Sequence, residues 1–100
     1  MADKPWATVQ MGAFTIPIYL MSKERAEGEH AFGMCIEADS GLPEIYIQEN
    51  LPEPQHSDTL THELLHQAAA MAGISLSEQK VTVLARFLSQ ATFTFKKDVQ

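Results

Sequence analysis

Residues 62–66 read His62-Glu63-Leu64-Leu65-His66. On an α-helix a step of four residues turns through about 400°, so the two imidazoles project within about 40° of each other and can reach one cation, at about 2.0–2.1 Å for zinc and nitrogen. Glu63 stands about 100° further round. There it is badly placed to bind beside the histidines and well placed to take a proton from water that a metal activates for attack on a carbonyl. The spacing separates holding an ion from moving a proton. The plain alternative is two histidines four apart by coincidence on a solvated face, which the residue order and the helical context make uncommon.

A catalytic zinc site usually takes three protein ligands and keeps a position open. Glu78 is the preferred third ligand, because it opens a helix that returns alongside the first in a short hairpin. If the hairpin turns near Ile74, Glu78 falls about 6 Å along the axis from the level of His66, at 1.5 Å per residue. Helix tilt and a long side chain must close that gap. The competing reading of Glu78 is a first-turn acid favoured by the helix dipole. His30 and His56 stay in reserve as loop ligands, although both stand in polar surroundings that suit surface histidines. Tyr46 or His56 is the candidate for stabilising a developing oxyanion. Cys35, the only cysteine, reads as a buried strand residue rather than a nucleophile, since nothing nearby would lower its pKa.

These side chains need elements to carry them. Residues 7–11 and 14–20 are rich in β-branched and aromatic types, with Gly12-Ala13 between them as a tight turn. Pro17 predicts that the second strand is an edge or is bulged there. The charged stretch 22–30 reads as a solvated loop or one helical turn. Residues 31–36 and 44–48 predict a second hairpin turning at Asp39-Ser40-Gly41. Pro52 and Pro54 forbid regular structure before a helix over about 57–73, capped by Ser57 or Asp58 and ended by Gly73. Its arc of Leu60, Leu64, Leu65, Ala68, Met71 and Ala72 should pack on the sheet and leave the histidine face open. Ser77 caps a last helix to about Ala91, with Val81, Leu84, Phe87 and Leu88 at helical spacing. Residues 92–95 read as its frayed end, before a polar tail.

One hundred residues suit a single domain, 1–100, and 45% hydrophobic with 20% charged residues is a globular composition. A formal net charge of −6 argues against nucleic acid and favours a basic peptide as substrate. Neither a secretory signal nor an apolar run of about 20 residues is present, so no membrane association is expected and the cytoplasm is the default location.

The pattern resembles the small gluzincins often encoded by phages and prophages, related to the ImmA/IrrE-type metallopeptidases. The resemblance covers residues 31–91. It rests on Phe32-Gly33 and Ile45-Tyr46-Ile47 before the motif helix, on Thr59-Leu60-Thr61-His62-Glu63-Leu64-Leu65-His66-Gln67-Ala68 along it, and on Leu76-Ser77-Glu78 with Val81, Leu84, Ala85 and Leu88 after it. It implies an α+β, minimal zincin-like fold, a small twisted sheet packed on a two-helix hairpin. It also implies Zn2+ held by His62, His66 and Glu78, Glu63 as general base, and hydrolysis of a peptide or protein. Thr82 departs from relatives that commonly carry asparagine there. The rival of a different class is a non-catalytic zinc-binding interaction module of phage or prophage origin.

Overall fold

The computed structural model describes residues 4–37 and 41–91. The chain runs β1 (Ala7–Met11), β2 (Phe14–Met21), α1 (Lys23–Glu29), β3 (Gly33–Glu37), β4 (Pro43–Gln48), α2 (Gln55–Ala72) and α3 (Glu78–Leu88). Two hairpins, β1/β2 and β3/β4, are each antiparallel, and they join because β2 and β4 pair in parallel, giving the order β1-β2-β4-β3. The result is a small α+β fold of one mixed four-stranded sheet and three helices. Gly12, at φ 61°, makes the first hairpin turn. Asp39 and Ser40 of the second expected turn, the frayed helix over 92–95 and the polar tail lie outside the described residues.

Period-two alternation sorts the sheet into two faces. Ile16, Ile18, Ile45 and Ile47 have essentially no exposed surface, and Leu60 and Leu64 of α2 pack against them. On the other face Tyr19 and Tyr46 stack at 5.2 Å between ring centroids, with the Arg25 guanidinium of α1 4.6 Å from the Tyr46 ring. The motif helix therefore lies on the isoleucine side and the tyrosines on the far side.

Four expectations need correction. Strand β2 is interior, not an edge, and Pro17 stands opposite Thr8 of β1, just before the stretch Ile18–Met21 that pairs with β4. A residue without an N–H costs nothing in a ladder that has not yet begun. Residues 23–29 form a true helix, α1, because the Ser22 hydroxyl accepts the Arg25 N–H at 3.1 Å and Ala26 is buried. Helix α2 starts at Gln55 with neither Ser57 nor Asp58 as its cap. The Glu53 carboxylate does that work instead, accepting the Ser57 backbone N–H at 2.9 Å and the Ser57 hydroxyl. The apolar arc of α2 is buried only in part: Met71 and Ala72 are exposed, and no residue of the helix is fully buried.

The other end of α2 matches its reading. Gly73, at φ 71°, lets its own N–H and that of Ile74 close on Ala70 and Ala69. Four residues later the Ser77 hydroxyl accepts the Lys80 N–H at 3.2 Å and starts α3. Helix α3 packs chiefly on α2, so only Val81 and Ala85 are buried, while Leu84, Phe87 and Leu88 of the expected apolar face are exposed. Among the described residues no helix is long and apolar enough to cross a membrane.

Candidate metal centre

The α2/α3 hairpin brings His62, His66 and Glu78 together. Glu78 Oε1 lies 2.6 Å from His62 Nε2 and Oε2 lies 2.9 Å from His66 Nε2, while the two ring nitrogens are 3.2 Å apart. The 6 Å axial offset is thus closed, because Ser77 fixes Glu78 as the first helical residue and the side chain spans the rest. The two rings cross at 61° with centroids 4.8 Å apart, which is what a four-residue step on one helix face allows.

The donor set fits a metal ion. Two imidazole nitrogens and a carboxylate oxygen lie within 4.8 Å of one another. Tetrahedral binding at about 2.0–2.1 Å would set the donors roughly 3.4 Å apart, close to the 3.2 Å between the ring nitrogens; the 2.6 and 2.9 Å contacts are made by different Glu78 oxygens, so binding through one of them asks that carboxylate to move. Facing ring nitrogens at 3.2 Å cannot both present N–H groups to each other. A shared cation would resolve that contact.

Electrostatics divides the two carboxyl groups of the site. The hydrogen bond from His62 holds the Glu78 carboxyl below its ordinary value, with both imidazoles adding to the effect and slight burial opposing it. Burial pushes Glu63 up, the nearby His62 and His66 oppose that, and the negative charge of Glu78 adds to it. One carboxylate is stabilised as an anion and the other holds its proton more readily.

Glu63 forms the ridge between two recesses. One, of about 480 Å³, is lined by Cys35, Ile36 and Glu37 of β3 together with His66 and Gln67. The other, of about 250 Å³, is lined by Phe32 and Gly33 together with Asp58, Thr59, His62 and Glu78. Both follow β3, the outer strand on that side of the sheet. The Phe32 carbonyl accepts the Gln48 N–H at 2.7 Å, so by ladder alternation Met34 and Ile36 also turn their backbone groups to β4. Gly33, Cys35 and Glu37 then direct theirs outward. Among the described residues the recesses are lined by the carboxylates of Glu37, Asp58, Glu63 and Glu78, and no described lysine or arginine lines either.

The reserve residues do not join this group. Tyr46 points to the far face of the sheet, where its hydroxyl donates to Glu44 at 3.0 Å, and so it is not the oxyanion donor. His56 lies on the first turn of α2, edge-on to Trp6 and 3.7 Å from Glu53. His30 is the left-handed cap of α1. Neither is among the three clustered donors. Cys35 is a strand residue as read, but half-buried rather than buried; its thiol donates to Gln67 Oε1 at 3.0 Å, and burial followed by the charge of Glu63 raises its pKa. Gly33, Gln67 and Asp58 also border the site without having been singled out for it. Only Gly33 carried a signal, a glycine at a strand start, which can mark close backbone approach. No protein family, curated protein or solved structure matches the chain.

Proposed function

We propose that the protein is a zinc peptidase of minimal zincin-like fold, with His62, His66 and Glu78 as ligands and Glu63 as general base. The observation that carries the reading is the convergence of those three donors beside a half-buried glutamate that lines two recesses next to an outer strand. A zinc ion held there would supply Lewis acidity to a substrate carbonyl and lower the pKa of water.

The chain's own groups do the rest. Outward backbone groups of Gly33, Cys35 and Glu37 offer an extended peptide a strand to pair with, and the recesses on either side of Glu63 receive its side chains. Glu63 accepts a proton from water as the water oxygen bonds to the carbonyl carbon. As the C–N bond breaks, Glu63 returns that proton to the leaving amine. Its raised proton affinity suits this exchange, and the neighbouring acidic residues favour a cationic peptide.

The test is digestion of an unbiased peptide library with and without chelator, by the native chain and by Glu63→Gln. Cleavage by the native chain should stop on chelation. Glu63→Gln should keep its zinc and lose about 10²–10⁴ in rate, the usual worth of a general base. Cleavage by Glu63→Gln at the native rate rejects Glu63 as the base. Zinc retention with no cleavage of any peptide by the native chain favours the interaction module instead.

A further inference from the structure

Glycines usually earn their place through backbone conformation. Gly12, Gly41 and Gly73 all have positive φ, and a Cβ added at any of them would meet nothing within 4 Å. Gly33 is the reverse case. Its φ lies outside the left-handed region, yet an added Cβ would lie 2.7 Å from Thr59 Cγ2, 3.2 Å from Glu63 Cγ and 3.4 Å from the Tyr46 carbonyl oxygen. The backbone conformation tolerates any residue; the space does not.

Thr59 and Glu63 sit one helical turn apart on α2, on the side that faces β3. Strand β3 therefore runs close against the helix where the Glu63 stem leaves it. Thr59 is β-branched and stiff at χ1, so its methyl cannot readily give way. We propose that Gly33 is a positioning residue for Glu63: the bare backbone of β3 forms the wall that fixes the glutamate stem and thereby aims its carboxylate at the cleft. The proposal rests on the role given to Glu63 above and adds the element that holds it.

A simple clash and a positioning role are separable, because the two tight contacts belong to different side chains. Thr59→Ser removes Cγ2 and with it the 2.7 Å contact, leaving the 3.2 Å contact to Glu63. The experiment compares the native chain, Gly33→Ala, Gly33→Ala/Thr59→Ser, and Gly28→Ala as a control, since Gly28 has open space around it. Each is measured for melting temperature, zinc content, kcat and KM of the zinc-loaded protein, and the NMR shifts of the Glu63 methylene groups in the metal-free protein. The double variant should melt close to the native chain and hold its zinc. Its Glu63 methylene resonances should move, and kcat should fall about 10–100-fold while KM stays within about twofold, the signature of a misaimed group. A folded double variant with native kcat and unmoved Glu63 resonances overturns the proposal. If the native chain cleaves no peptide, the peptidase reading fails by itself and the resonances decide: moved, Gly33 seats Glu63; unmoved, it does not.

Discussion

Glu78 is exposed, but each of its carboxylate oxygens meets a different imidazole, so the side chain bridges two rings that belong to another helix. Glu63, buried further, titrates in the opposite direction. Two carboxylates whose surroundings drive them apart are suited to different tasks, one as a standing anion and one as a carrier of protons. If Glu78 is a ligand, Glu78→Ala should weaken zinc retention by more than the 10–100-fold (roughly) that follows loss of a supporting hydrogen bond, whereas Glu24→Ala on α1 should leave it unchanged. Competition with a chromophoric chelator measures both. Equal retention would move the third ligand elsewhere. His62, Glu63 and His66 were legible in the sequence because helical periodicity converts four residues into adjacency without reference to the rest of the fold. Glu78 was legible through the cap signals at Gly73 and Ser77. The approach of Gly33 to Thr59 and the pairing of Cys35 with Gln67 were not, since both depend on how one strand registers against one helix, across 26 to 32 positions of chain.

At the level of elements, the start of α2 sets the rotation of every site residue on it, and that start depends on Glu53. The carboxyl of Glu53 is held below its ordinary value, first by the Ser57 hydroxyl, then by the Ser57 backbone N–H, with slight burial opposing and His56 assisting. A folded pKa below the unfolded value of 4.5 contributes stability that is present above that value and is lost as pH falls through the folded pKa. Glu53→Ala should therefore melt below the native chain at about pH 7, and the two curves should converge by about pH 3. Thermal melts across that range check it; a gap that persists in acid would assign the effect to something other than the carboxylate. The helix was predictable from its apolar spacing, but its cap was not. Ser57 and Asp58 are ordinary capping residues, and only the structure shows a glutamate ahead of the helix reaching forward to the Ser57 N–H. The interior position of β2 was hidden for a similar reason, because Pro17 marks where one ladder begins and not where the sheet ends.

For the whole molecule, four isoleucines on two adjacent strands form the fully buried cluster that joins the hairpins and seats α2. A domain of this size has about 5–15 kcal/mol of stability to draw on. Ile45 lies on β4, between β2 and β3, so truncating it opens a cavity with little freedom to collapse. Ile45→Val should cost about 0.5–1.5 kcal/mol and Ile45→Ala about 2–5 kcal/mol, read from the urea midpoint at constant slope. A cost for Ile45→Ala below that of Ile45→Val would show that the core is not where the burial places it. Hydrophobic alternation made this cluster visible in outline, since Ile45 and Ile47 share a parity. The parallel pairing that brings Ile18 beside Ile45 is a property of the crossover and was not readable from either strand.

The last helix has little of its own to keep it in place. Val81 and Ala85 are the only residues it buries, and the five-residue connection Gly73–Ser77 ties it to α2 at one end. An ion gripped from both helices would act as a clasp at that same end, adding a bond the packing does not provide. Metal supply would then govern how readily α3 parts from α2, and a protease acting on the metal-free protein should cut within α3 before it cuts the sheet.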